Sequence, residues 1–425
     1  MLSPETYQQY LSILKEELVP AMGCTEPISL AYAAALARET LGLMPQRVTL
    51  CVSPNIIKNV KSVIVPHTGS LRGIEAAAAA GIVAGDASRK LEVLSSVTSE
   101  QIRDIAAYLA QTPISVTPSD SGFIFDIQVR METEGHSAFI RIAGNHTHVV
   151  RIERDQEVLL SKPYAPEEAP QHTDHKGLNV EDIVQFADSV QIADIAPILD
   201  RQIRCNKAIA EEGLRGDWGA SIGRVLLHAY GRDVHNLAKA MAAAGSDARM
   251  SGCELPVVIN SGSGNQGLTT SLPVIVYAEH LGATAEQLYR ALVVSNLITI
   301  HLKTGIGCLS AYCGATSAGC GAGAGITYLY GGKAREIAHT IVNAVAINSG
   351  MICDGAKASC AAKIASAVEA GLLGMQMQMQ GTQFYGGDGI IVKGVENTIE
   401  NIGRLARVGM AETDKEIIQM MVGGC

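Results

Sequence analysis

Aromatic side chains make up only 4% of the chain, against 43 glycines in 425 residues. That scarcity excludes an aromatic-rich barrel core and favours helices packed closely through small residues and tight turns. Basic blocks and Arg-rich arms are missing too, and the net charge is -9. Neither nucleic acid nor an anionic membrane surface is therefore an expected partner. The first twenty residues contain acids and lack a cationic start followed by an apolar run, so they read as a helix and not an export signal. The expected compartment is the cytoplasm, where ten cysteines point to metal ligation, catalysis or buried thiols, and not to a disulfide framework. No Cys-x-x-Cys occurs, which sets aside a zinc ribbon or a ferredoxin-type run. The stretch Thr304 to Gly332 has no charge, but it is crowded with Gly, Ser, Thr and Cys, unlike a membrane span. Its Gly319, Gly321, Gly323 and Gly325 mark a buried helix that approaches its neighbours closely.

An apolar content of 47% is ample for a large core. Ser3 fits an N-cap with Pro4 in the first helical position, and Tyr7, Leu11, Leu14 and Leu18 mark one face. Helices are predicted over Pro27 to Thr40, Gly73 to Ala84 and Ser99 to Ala110. Strands are predicted at Val48 to Val52, Ile114 to Val116, Phe123 to Met131, Ala138 to Ile142 and Val149 to Ile152. The Pro-, His- and acid-rich segment Lys162 to Lys176 reads as a linker. From Asn179 onward helical periodicity dominates, with Gly394 to Met421 as one long helix. The expected fold class is α+β: a mixed α/β domain over residues 1–170, then a larger all-α domain over 171–425. The oligomeric state stays open, a homo-oligomer included.

Five cysteines fall between 308 and 360, among small residues. Cys353 and Cys360, seven apart, would share a face of one helix but sit ~10 Å apart along it. The turn-forming Asp354-Gly355-Ala356 could fold the two inward. Spacing alone leaves a metal site undecided. Cys51 and Cys205 read as buried small hydrophobes. Cys24 precedes Thr25-Glu26-Pro27 and an alanine-rich helix, a position that should lower its thiol pKa. Gly262-x-Gly264-x-x-Gly267 is formally a dinucleotide fingerprint, but no second strand follows. A turn of this composition is better suited to holding a carboxylate, with Ser261, Ser263, Gly264 and Asn265 as the candidates. Asp247-Ala248-Arg249-Met250 could place a charged pair near the site, but a surface salt bridge is the favoured reading.

The blocks AYCGATSAGCGAGAGITYLYGG (311–332) and GMICDGAKASCAAKIA (350–365) resemble the α-domain of the iron–sulfur L-serine dehydratases. With AMGCTEPISLA (21–31), SPNIIKN (53–59) and SGSGNQG (261–267), the chain looks closer to the single-chain L-cysteine desulfidases. That resemblance implies a [4Fe-4S] cluster on Cys313, Cys353 and Cys360, with one iron left open for the substrate. It leaves Cys320 as the next candidate ligand and Cys425 as a thiol that could reach the site. It assigns Cys24 as candidate base for the Cα proton. The Pro66-His67-Thr68-Gly69-Ser70 turn resembles a carboxylate-binding turn of serine dehydratases, and Asn55 and Asn59 lie just upstream of it. The implied activity is β-elimination from a small amino acid, most directly L-cysteine giving pyruvate, ammonia and sulfide. The alternatives are an L-serine ammonia-lyase, an iron–sulfur sensor, and a pyridoxal-phosphate lyase, the last without a convincing Schiff-base lysine.

Overall fold

The computed structural model describes residues 2–164 and 173–422. Residues 165–172 of the expected linker and Cys425 lie outside the described residues. The chain opens with α1 (Pro4–Glu17), β1 (Pro20–Met22), α2 (Thr25–Leu41), β2 (Arg47–Val52), α3 (Pro54–Val60), α4 (Gly73–Ala84) and α5 (Ser99–Gln111). Five strands follow: β3 (Ile114–Pro118), β4 (Asp126–Thr133), β5 (His136–Ala143), β6 (Val149–Arg154) and β7 (Glu157–Ser161). Next come α6 (Val180–Ser189), α7 (Ile192–Arg215), α8 (Ile222–Tyr230), α9 (Val234–Met250) and the short β8 (Pro256–Val258). The chain closes with α10 (Gly264–Leu281), α11 (Ala285–Ile306), α12 (Gly314–Leu329), α13 (Ala334–Ile347), α14 (Cys360–Met379), α15 (Val395–Arg404) and α16 (Ala411–Val422). The fold class is α+β, as the sequence implies.

The six-stranded sheet runs β3-β2-β4-β5-β6-β7, parallel only between β2 and β3. Ile127, Val129 and Met131 of β4 are paired with Ile142, Ile140 and Ala138 of β5, and all six are buried. Their shared face explains the alternation in the sequence. The predicted strand start at Phe123 is too early. Phe125 is buried beside an exposed Ile124, and pairing begins at Asp126. There Arg141 grips the Asp126 carboxylate through two bonds of 2.8 and 3.0 Å. The sheet is covered by α2, a helix buried on nearly every side between the strands and α4. A Cβ at Gly81 of α4 would lie 2.1 Å from the carbonyl oxygen of Ala31, so only glycine permits that approach.

Two links carry the start of the chain into the later helices. Ser3 caps α1, accepting from the Thr6 N–H at 3.2 Å, and α1 packs on α6, α7 and α11. β1 pairs antiparallel with β8, Ala21 opposite Val257. This pairing stitches the segment before Cys24 to the segment before the 261–267 turn. Among the helices, α12 is central, packed against α10, α11, α13 and α14. Among the described residues no helix is long and apolar enough to cross a membrane. The predicted helix 394–421 is in fact α15, a π-type turn (Leu405–Gly409) and α16. Gly403 and Gly305 bring α15 and α11 into backbone contact, a Cβ at 403 falling 2.9 Å from the Gly305 Cα. Beyond that clasp the chain turns away so that α16 can pack on α3.

Candidate active site

Cys313 and Cys353 meet because two short segments pair. Tyr312 and Ile352 form an isolated antiparallel bridge. The Cys313 N–H donates to Met351 O at 2.8 Å and the Cys353 N–H to Ala311 O at 2.6 Å. Cys313 then caps α12. Cys360 opens α14, so it does not share a continuous helix with Cys353. The turn between them depends on Gly355, whose φ is +91°; a Cβ there would lie 2.3 Å from Lys58 O. Asp354 holds the same turn through ion pairs with Lys357 and Lys363. All three thiols therefore line one cleft of about 820 Å³, its open mouth included. Cys320 does not line it; that side chain is buried in the helical core.

The thiols are not electrostatically equivalent. A hydrogen bond from Cys313 holds Cys353 down, against burial, to about 6, with Lys58, the Gly355 N–H and Lys303 adding to the effect. The same bond, with burial, pushes Cys313 up, and burial raises Cys360. At neutral pH Cys353 is the thiolate of the group. Lys58 is fully buried and paired with Asp414 of α16 at 2.5 Å. Lys303 and Lys363 line the cleft directly.

Cys24 and Cys308 line the cleft as well; the three thiols that the family resemblance assigns form a soft donor set suited to iron–sulfur chemistry. Among the described residues no three His, Cys, Asp or Glu groups lie close enough to hold one metal ion. Three thiols on one cleft with ammonium groups beside them are a donor set that would suit a multi-iron cluster better than a single ion.

Cys24 forms the adjoining wall, as N-cap of α2. Its Sγ donates to Glu26 Oε2 at 3.1 Å, and Thr25 Oγ1 donates to the same oxygen at 3.0 Å. The predicted lowering of the Cys24 pKa is overturned. Burial and the neighbouring Glu26 charge push it well above its usual value, and Arg249 opposes them only in part. A helix end is weak beside full desolvation and a carboxylate two residues away. Burial pushes Glu26 up, but His146, the Cys24 thiol and its own backbone N–H outweigh that and hold it at about 2. His146 Nε2 lies 4.0 Å from Glu26 Oε1, too far for a hydrogen bond.

The third wall is the 260–266 turn. Ser261 and Gly262 take positive φ (49° and 75°), and Asn260 bridges to Ser263. Ser261, Ser263 and Asn265 line the cleft, and Gly264 opens α10. Asn59 lines it too. His67, Thr68 and Asn55 do not. His67 faces Glu254, with Nδ1 3.2 Å from Oε1, and Thr68 donates to Val65 O at 2.6 Å. Asn55 donates to Leu309 O (3.2 Å) and Asp414 Oδ2 (2.7 Å), bracing the loop before Cys313. Local partners have taken up Thr68, Asn55 and His67 Nδ1, whereas His67 Nε2 is buried without a partner. The predicted surface salt bridge at Asp247 and Arg249 is also overturned. Both are buried, Asp247 accepts from the Gly223 N–H, and Arg249 lines the cleft. Lys58 and Lys303 are cations at the cleft that the sequence pattern missed, and Arg249 lies on it where a surface position was favoured. The available signal was a lone cation inside an otherwise apolar or small-residue helical run, as in LITIHLKTGI.

Behind the turn, Glu17 of α1 accepts from the Ser261 N–H. Burial, then repulsion from Glu16, lifts its pKa to about 7 despite that bond. A carboxyl raised in the folded state binds its proton more tightly there than when unfolded. Its contribution to stability is complete below about 4.5 and is lost as pH rises through about 7. Glu17→Gln should flatten this part of the pH profile, checked by melting temperatures of both proteins from pH 5 to 8. An unchanged slope would show that Glu17 is not the group responsible.

Residues 88–419 match the model of the serine dehydratase alpha chain family. The chain is 61% identical to a UPF0597 protein of Desulfitobacterium hafniense, covering 99% of this chain and 97% of that one. It is 50% identical to a UPF0597 protein of Lachnoclostridium phytofermentans (98% and 100% covered). It is 44% identical to one of Treponema denticola, with 99% of each chain covered.

Proposed function

The chain belongs to the serine dehydratase alpha chain family, and from that premise we propose that it eliminates the β-substituent of a small L-amino acid, L-cysteine, in an iron–sulfur-dependent reaction. The observation that carries this reading is the meeting of Cys313, Cys353 and Cys360 on one cleft, facing the α10 turn. These three thiols would hold the cluster. When bound, a cluster with three protein ligands supplies an open iron able to take up the negative charge that develops on the leaving sulfur. The protein's own groups do the rest. The turn at Ser261 to Asn265 orients the substrate. The Cα proton is assigned to Cys24 acting as its thiolate; the thiol proton, which points at Glu26, must first pass on to solvent, because Glu26 is held at about 2 and does not keep it. Burial disfavours its thiolate but makes it a stronger base once formed. Loss of the Cα proton and of the β-thiol from L-cysteine gives aminoacrylate and hydrogen sulfide, and water converts aminoacrylate to pyruvate and ammonia.

L-Cysteine is preferred to L-serine because its soft thiol suits iron, and because of the sequence blocks shared with the desulfidases. The test is anaerobic reconstitution with iron and sulfide, followed by pyruvate and sulfide assays. The expected result is turnover of L-cysteine with little turnover of L-serine. The opposite preference makes the protein a serine ammonia-lyase; an intact cluster with no elimination from any small amino acid defeats the proposal.

A further inference from the structure

Among the described residues some buried charges have an ionic partner, while Asp247 has only backbone donors. Lys58 is paired with Asp414, and Asp126 with Arg141. Arg249, at the end of α9, has no ionic partner among the described residues. It is 2% exposed, yet among the described residues its one hydrogen-bond partner is a neutral amide: Nη1 donates to Asn265 Oδ1 at 3.1 Å. Its Nε has no partner at all. Glu26, the carboxylate sharing the cleft, is already engaged by Cys24 and Thr25. A guanidinium stripped of water with no counter-charge is costly and is retained where an anion arrives from outside.

The guanidinium is aimed at a second feature that favours anions. A Cβ on Gly264, the first residue of α10, would lie 2.3 Å from Arg249 Nε, so the side chain lies against the start of this 18-residue helix. Ser263 supplies no side-chain cap there, and first-turn N–H groups have no intrahelical acceptor. One turn residue further, Gln266 is 4% exposed and its Oε1 also has no partner. Gln266 reaches the cysteine wall, since a Cβ at Gly314 would lie 2.6 Å from its side-chain carbonyl carbon.

We propose that Arg249 and the N-terminus of α10 bind the α-carboxylate of the substrate, with Gln266 Oε1 receiving its ammonium group. This rests on reading the cleft as the amino-acid site. The grip assigned by resemblance to His67 and Thr68 passes to a residue outside both sequence blocks.

The test uses reconstituted protein, wild type and Arg249→Gln, with three probes: L-cysteine, 3-mercaptopropionate (carboxylate without amine) and cysteamine (amine without carboxylate). The expected result is a rise on the order of 100-fold in KM for L-cysteine and in Kd for 3-mercaptopropionate, as for one partner lost from a buried charge pair. Cysteamine binding should be unchanged, and Arg249→Lys should restore part of the affinity. Without ligand, Arg249→Gln should melt at the same or a higher temperature, because an unmatched buried charge has been removed. A purely structural arginine predicts the reverse, so a variant that fails to fold or melts well below wild type overturns the inference. So does a variant whose KM and Kd stay within twofold of wild type. If wild type turns over L-cysteine while Arg249→Gln keeps its KM, the anchor falls and the elimination stands. If wild type turns over nothing yet binds 3-mercaptopropionate through Arg249, the elimination falls and the anchor stands.

Discussion

Cys353→Ser is expected to leave the protein folded but unable to hold a full iron–sulfur cluster, and to cut elimination by on the order of 1,000-fold or more. Of the three thiols assigned to the cluster, Cys353 is the one whose pKa is lowered, to about 6. It is supported by the Cys313 thiol and by the ammonium groups of Lys58 and Lys303. Serine keeps the backbone bond to Ala311 O but offers a hard hydroxyl in place of a soft anion. Iron and acid-labile sulfide per chain, with pyruvate release, check the result. Cys320→Ser is the matched comparison. That thiol sits in the core away from the cleft, so its replacement should cost stability and not iron. Full iron in Cys353→Ser, or selective iron loss in Cys320→Ser, would mean that the ligand set is wrong.

Gly319→Ala is expected to destabilise the fold by about 4 kcal/mol or more, beyond the usual cost of overpacking. A Cβ at Gly319 of α12 would lie 2.1 Å from the carbonyl oxygen of Ala367 in α14. The contact is reciprocated: a Cβ at Gly371 would lie 2.1 Å from the carbonyl oxygen of Gly319. Both obstacles are backbone atoms inside helices, so no side chain can rotate aside and the two helices must separate. The same helices carry Cys313 and Cys360 at their N-terminal ends, so separation would also spread the thiols. Urea denaturation and soluble yield measure the effect. Gly350→Ala, at an exposed position with nothing nearer than 4.0 Å, should stay within about 0.5 kcal/mol of wild type. A comparably small change at 319 would show that α12 and α14 are not in backbone contact.

What the sequence determined by itself was local. Spacing and composition were enough for the glycine-rich buried helix at 314–329, the Ser3 cap, the alternation in β4 and β5, and the turn at 354–356. Each depends on side chains within one element, so periodicity carries the information. The three thiols were legible as a set only through resemblance to a family, because seven residues of spacing do not say whether a helix or a turn intervenes. Only the tertiary structure decided how the walls of the cleft come together. The Tyr312–Ile352 bridge and the β1–β8 pairing join residues far apart in the chain, and no local pattern encodes such a partner. Burial had the same character: it reversed the expected pKa of Cys24, drew Arg249 inside without a counter-charge, and gave the polar groups of Thr68 and Asn55 to neighbours. The free energy of a charged or polar group depends on how much water the rest of the fold removes from it and on which partner replaces that water, and neither is written in its immediate neighbours.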